Sequence, residues 1–385
     1  MTPMLWLINL SLLTWGIGEG MFWYFQPIYL HQLGANTMTI ATVYSAFGVA
    51  MMLVHIPAGY LADKVGRRPV IWVAWSLGLV SASIMALATR LNIFIIGMVL
   101  YGFTAFVSSP LYSYVSTARG KLTTARAMTL TSAAFNLGAI IGPVTGGWIA
   151  SLYGLRTIYF IITGIFVISF AIILLIKAQP LQQHDPHRPP LRLVENKRFL
   201  MMVGLAFTSV FVMYLPQPLT PNFLQDQRGL NLTQVGLLGS LGSIGTVVIN
   251  LLLGVINSRL GFFLAQLCVA FFAFILWRAN SLGWFALGYM LLGGYRAARM
   301  MIFSQVRPLI HEAQMGLAYG LTDTFNSLAI ILSPLLAGWL YTRDPASVYL
   351  AAVGLILVSI LIGLRFAPQF GGKLGPTISS QTSDT

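Results

Sequence analysis

Twelve stretches of this chain stay apolar for the length a helix needs to cross a bilayer, and no other feature of the sequence leaves so few folds open. A hydrocarbon core about 30 Å thick takes about 20 helical residues, and inside it only helices or closed barrels satisfy the backbone. The runs at 5–30, 40–61, 70–88, 93–115, 127–153 and 158–176 have helix length. After a polar segment six more follow, at 199–223, 235–256, 262–277, 282–306, 317–341 and 348–366. Only 8% of the residues are charged, against roughly 25% in soluble domains. A water-soluble core of this size would lack its polar skin. The expected fold class is therefore an all-α polytopic membrane protein with 12 transmembrane helices.

Charge placement orients these spans. The formal net charge of +13 invites a nucleic-acid partner, but Lys and Arg sit at the ends of apolar runs and gather on no single domain or helix face, so none is expected. With the N terminus inside, the even-numbered turns and the tail hold fifteen Lys and Arg between Lys64 and Lys373. The opposite turns hold Arg90, Arg156, Arg228, Arg278 and Arg343. The positive-inside rule then expects both termini in the cytoplasm. The opening residues lack the basic start and cleavage pattern of a secretory signal, so the first span is expected to be retained. Short loops and the lack of targeting signals suggest a prokaryotic plasma membrane.

A long polar connection rich in Pro, Gln, His and Arg divides the chain at its middle and reads as a linker. The expected organisation is a six-helix bundle at 1–178, a cytoplasmic linker at 179–198, a second bundle at 199–368 and a disordered cytoplasmic tail at 369–385. His184 and His187 fall in the linker, where a Pro-rich loop offers no second shell, so neither metal nor cofactor is expected. Cys268 is the single cysteine and excludes an intramolecular disulfide. The halves read as copies. Phe25-Gln26-Pro27 in span 1 finds Gln217-Pro218 in span 7, and Gly59 to Gly66 finds Gly254 to Gly261. Gly142-Pro143 with Gly147-Trp148 finds Ser333-Pro334 with Gly338-Trp339, all at offsets of 191 to 195 residues. Duplicated bundles around a midplane site are a recurrent transporter architecture, because they can rock about one cavity.

Between spans 2 and 3 stands Gly59-Tyr60-Leu61-Ala62-Asp63-Lys64-Val65-Gly66-Arg67-Arg68-Pro69. It resembles the cytoplasmic signature G-x-L-a-D-r-x-G-r-k/r of the major facilitator superfamily. Gly59 permits close approach of a neighbouring helix, and Asp63 offers a carboxylate to a nearby Arg and to a helix N-terminus. The resemblance implies two pseudo-symmetric six-helix bundles. It also implies a conformational latch at Gly59, Asp63, Gly66, Arg67 and Arg68, engaged in the outward-open state. Span 5 carries a second motif, similar to the G-x-x-x-G-P-x-x-G-G signature of the proton-coupled export branch, at Gly138, Gly142, Pro143, Gly146 and Gly147. Glycines four apart flatten one helix face, and Pro143 frees a carbonyl and kinks the helix. Exporters of that branch carry an Arg in span 4 four residues before a Gly. Counting back from Gly102, that position is Met98, so the coupling attached to that Arg is not carried over.

An ionised side chain at the bilayer centre costs about 2.5 to 3.5 kcal/mol on the insertion scale, which makes each one a functional candidate. Glu19 lies midway along span 1, Arg296 and Arg299 in span 10, and Asp323 in the cytoplasmic third of span 11. Arg296 and Arg299, three apart, share a helix face. In the resembled fold, spans 1, 4, 7 and 10 line the central cavity. Depth counted along the spans pairs Glu19 with Arg296 and Arg299 with Asp323. Glu19 is expected to exchange a proton, while Arg296 binds an anionic substrate group or holds Glu19 ionised; a structural pair fixing spans 1 and 10 is the alternative. Trp23, Tyr24 and Gln26 of span 1, Tyr101 of span 4, Tyr214 and Gln217 of span 7, and Tyr295 of span 10 complete the candidate site. Aromatics with one polar tip suit an amphipathic or apolar organic solute. His55 is expected to pack spans together, and Asn136 and Asn326 to bond between them.

The sequence has no H-E-x-x-H motif and no paired intramembrane acids, which argues against an enzyme. It has no G-x-x-x-x-G-K-[ST] loop, which argues against direct drive by ATP. The expected function is secondary transport of a small organic solute by alternating access, as a proton-coupled exporter acting as a monomer in membrane lipid. Import of a sugar or organic anion, lipid flipping, and a non-transporting receptor or sensor stand as alternatives.

Overall fold

The computed structural model describes residues 1–179, 196–306, 309–310 and 315–366, without the side chains of 55–63, 109, 125, 315–317 and 366. His184, His187 and the tail lie outside the described residues, as do the side chains of His55 and Asp63 and the surroundings of Gly59.

Among the described residues every regular element is a helix. Span 1 is α1 (Pro3–Trp23) and α2 (Gln26–Gln32), span 2 is α3 (Thr37–Val65), and span 3 is α4 (Arg67–Leu87). Span 4 is α5 (Leu91–Gly102), a tight turn of 3-10 helix (Phe103–Val107) and α6 (Ser108–Ala118); spans 5 and 6 are α7 (Thr124–Tyr153) and α8 (Leu155–Leu174). In the second half, span 7 is α9 (Lys197–Tyr214) and α10 (Thr220–Asp226), span 8 is α11 (Leu232–Gly254), and span 9 is α12 (Ser258–Arg278). Span 10 is α13 (Leu282–Leu292) and α14 (Gly294–Val306), and spans 11 and 12 are α15 (Met315–Arg343) and α16 (Ser347–Phe366).

The helix ends follow local chemistry. Thr2, Thr123, Asn196, Asn231 and Asn257 each accept a backbone N–H of the first turn, and Asn231 closes a reciprocal capping box with Gln234. Gly66 turns the chain between α3 and α4 at φ 93°, in the left-handed region that favours glycine. Its expected repeat partner, Gly261, sits inside α12, so this match between the halves is one of sequence and not of backbone.

The interrupted spans are 1, 4, 7 and 10, and this corrects the expectation of unbroken runs there. Pro27 has no N–H to donate and crowds the carbonyl four residues back, which parts α1 from α2; Pro216 and Pro218 do the same between α9 and α10. Span 10 breaks at Gly293, whose missing side chain lets it lie against the backbone of Gly245 in span 8. Among the described residues nine single helices are long and apolar enough to cross a membrane, and the joined pieces of span 4 make a tenth. The remaining two are spans 1 and 10, the ones holding Glu19, Arg296 and Arg299. Broken backbone at membrane depth survives only when protein covers its freed groups. At span 1, Asn222 Nδ2 of span 7 donates to the Pro27 carbonyl at 3.1 Å.

Span 1 packs on spans 5 and 6, and span 3 on spans 4 and 6, around Trp15, Phe22, Phe94, Tyr159 and Phe166. In the other bundle span 9 packs on spans 10 and 12, and span 11 on span 7, around Phe199, Met213, Phe262 and Ile302. The bundles meet along two seams, span 5 with span 8 and span 2 with span 11. Each seam carries a serine hydroxyl that donates to a carbonyl across it. Ser240 Oγ donates to Ile140 O at 2.6 Å, and Ser45 Oγ donates to Ile331 O at 2.6 Å. Ser240 lies 195 residues after Ser45 and Ile331 lies 191 after Ile140, so the two bonds are copies. Both lie in the half of the membrane away from the termini.

Candidate functional site

Glu19 is partly exposed and sits on the inner face of span 1. Its Oε2 accepts from Tyr101 OH at 2.7 Å and from Trp15 Nε1 at 3.2 Å. Trp15 stacks on Phe166 at 4.3 Å between ring centroids and tilts against Trp75 at 5.0 Å, so one donor to the carboxylate is wedged in a ring cluster. Among the described residues Oε1 receives no hydrogen bond and no cation pairs with Glu19. The expected pair with Arg296 is therefore absent: span 1 turns the carboxylate toward spans 3, 4 and 6 of its own bundle.

The facing wall is cationic. Arg299 Nη2 donates to Asp323 Oδ1 at 3.3 Å, with the side chains 32% and 37% exposed. Arg296 is exposed and has neither ion pair nor hydrogen bond among the described residues. Its charge acts on the hydroxyls of Tyr24 and Tyr295. Tyr295 and Tyr214 tilt together at 5.9 Å, and the buried Tyr295 hydroxyl lies beside the Arg299 guanidinium with no acceptor for its own proton among the described residues.

Above these charges, on the side away from the termini, both bundles close over a cavity of about 40 Å³ lined by Trp23, Tyr24, Tyr44, Tyr214, Gln217 and Tyr289. It has room for a water or two and for no organic solute. Tyr24 closes it by packing on Tyr289 at 6.2 Å and against Gly239 of span 8. Trp23 meets Phe47 edge-on at 5.8 Å, and Gln217 Nε2 donates to Met213 O at 2.9 Å. Gln26 is fully buried, with neither amide atom hydrogen bonded among the described residues.

The span 5 glycines divide their labour. A Cβ on Gly138 or Gly142 would collide with the carbonyl oxygens of Leu13 or Ile17, and one on Gly146 would lie 2.7 Å from Met21 O, so these three admit span 1. Gly147 faces span 8 instead, 2.6 Å from Leu232 O by the same measure. Beside Pro143, the Ser240 hydroxyl enters the helix ladder, accepting from Val144 N at 3.1 Å while donating to Ile140 O. At the latch motif, Arg67 Nη1 donates to Ser113 O, Thr117 Oγ1 and Gln179 Oε1 at 3.2, 2.7 and 3.0 Å, and Arg68 lies 4.0 Å over the Trp72 ring.

Among the described residues Asn136 and Asn326 do not bond between spans. Asn136 Nδ2 turns back to Ser132 O on its own helix, and buried Asn326 has neither amide atom paired there. Sequence reasoning missed Trp15, Ser45 and Ser240. Trp15 stands one helical turn before Glu19, and the serines obey the 195-residue offset, so both signals were present.

The sequence model of the Major Facilitator Superfamily matches residues 8–306, and again residues 202–377. The chain belongs to the Major Facilitator Superfamily. It is a multi-pass membrane transporter of a small solute, as that family implies. Among its relatives is Multidrug resistance protein 2 of Bacillus subtilis, 26% identical over 89% of this chain and 90% of that protein. Quinolone resistance protein NorA of Staphylococcus aureus is 25% identical over 90% of this chain and 92% of that one. The fold is shared with the crystal structure of the nucleoside transporter NupG, at a TM-score of 0.82 and 14% identity over 95% of this chain and 100% of that one.

Proposed function

We propose that this facilitator is a proton-coupled exporter of organic solutes in a prokaryotic inner membrane, with both termini in the cytoplasm and the bundles rocking about the space between Glu19 and span 10. The observation that carries the reading is Glu19, a carboxylate at mid-span with two neutral donors on one oxygen and no counter-cation among the described residues. Its free oxygen can take a proton without breaking either hydrogen bond. Relatives named for multidrug and quinolone resistance support export. In this orientation the two serine seams close the outer side, so the bundles face inward, and the motif from Gly59 to Arg68 holds them when they face outward. The chain acts as a monomer, with bundles at 1–178 and 199–368.

The test is transport in proteoliposomes under an imposed pH gradient with fluorescent organic cations, neutrals and acids as cargo. Gradient-driven accumulation should collapse in Glu19→Gln while downhill exchange persists. Unchanged coupling in that variant removes Glu19 from the mechanism.

A further inference from the structure

On the transport reading above, on which this proposal rests, span 10 sets the chemistry of the solute. Two arginines lie one turn apart on it, and they differ in company. Arg299 has Asp323 at 3.3 Å. Arg296 has no partner among the described residues, and Glu19, the carboxylate that depth alone would offer it, is engaged by Tyr101 and Trp15 of the other bundle.

Arg296 is exposed and has residues of both bundles within reach. Its charge reaches Tyr24 of span 1 as well as Tyr295 beside it, and Tyr24 packs on Tyr289, which lies in the same span as Arg296 on the other side of the break at Gly293. An exposed guanidinium within a span, with no carboxylate of its own, is open to a counter-charge brought by a solute. Its neighbourhood is also short of acceptors. The buried Tyr295 hydroxyl lies beside the Arg299 guanidinium and has no acceptor for its own proton among the described residues, and Asp323, the carboxylate described on this wall, is already held by Arg299. Donors in excess around a free cation describe a receptor for an anion. The rings of Trp23 and Tyr24 above offer an apolar surface to whatever carries that anion.

We infer that Arg296 binds an anionic group, a carboxylate or phosphate, on an amphipathic solute whose apolar body lies against Trp23 and Tyr24. The neutral Glu19 wall then meets the solute without repelling its charge once a proton is bound.

The full chain in a neutral detergent would be titrated with aryl carboxylates of one to three rings, each beside its uncharged carboxamide, reading tryptophan quenching. Acids should bind at least about tenfold tighter than their amides, the effect of one charge-assisted contact. Arg296→Gln should bring the two to parity, and Arg296→Lys should retain a preference for the acid, which separates lost charge from lost fold. If no acid outbinds its amide, or if the preference survives Arg296→Gln, the proposal falls. Repeating the titration with phosphatidylglycerol or phosphatidylcholine tells the sources apart. Displacement of the acid by the anionic lipid alone assigns the site to a lipid headgroup, and no displacement assigns it to a soluble acid; either keeps the anion on Arg296. Gradient-driven export without any acid preference would sink this inference and leave the transport reading standing, whereas acid binding without gradient-driven export would do the reverse.

Discussion

Spans 1 and 5 meet backbone to backbone, whereas spans 7 and 11, their counterparts 191 residues on, are spaced by side chains. Gly16 and Gly20 of span 1 lie against Phe135, Ala139 and Gly142 of span 5 with no room for a Cβ. At the same places in the second half stand Phe207, Phe211 and Ser333. The two phenyl rings stack at 6.1 Å, and Ser333 Oγ reaches across to Phe211 O at 2.9 Å. The duplicated scaffold keeps its seams, down to the paired serine bonds, while side-chain volume at a few positions sets how closely each wall is drawn together. The chemistry of the walls diverges with it: a carboxylate caged in rings on one side, two arginines and an aspartate half open on the other.

The most disruptive way to probe this contrast is Gly142→Val. Its Cβ would enter the Ile17 carbonyl, and because the obstacle is backbone the loss of stability should exceed the usual 1 to 3 kcal/mol of overpacking, seen as a lowered Tm or no folded protein. Ser333→Ala, at the matching position, should lose about 1 kcal/mol, one hydrogen bond. Equal losses would mean that the halves are packed alike. Next in size, Glu19→Gln should cut gradient-driven transport by at least about tenfold, a 1.4 kcal/mol effect, while Asp323→Asn keeps its pH dependence; a reversed outcome would exchange the roles of the walls.

The seams, by contrast, should respond in the same direction. Ser45→Ala should weaken outer closure by about 1 kcal/mol, a several-fold shift, and Ser240→Ala by at least as much, since Ser240 also accepts from Val144 N. Labelling of an introduced outer cysteine in a Cys268→Ser background would read it, and a shift at one seam alone would break their symmetry. Smallest of all, Asp323→Asn should change Tm by less than the equivalent of about 1 kcal/mol, since water screens a pair whose side chains are a third exposed.

Much of this was legible in the sequence, for identifiable reasons. Span length and number show through because the bilayer imposes its thickness on every apolar run, and the repeat shows through because Pro and Gly mark backbone that side chains cannot disguise. The Arg299–Asp323 pair could be read from depth. Depth failed for Glu19 and Arg296, as it did for Asn136 and Asn326, because position along a helix says nothing of its rotation about its own axis. All four interrupted spans read as unbroken helix in the sequence, although Pro27, Pro216 and Pro218 mark the breaks in spans 1 and 7. The sequence by itself determined the solvent, the span lengths, the twofold plan and which charges lie within spans. Tertiary structure alone decided who faces whom, since helix rotation is settled by the sum of many small contacts across neighbours that lie far apart along the chain.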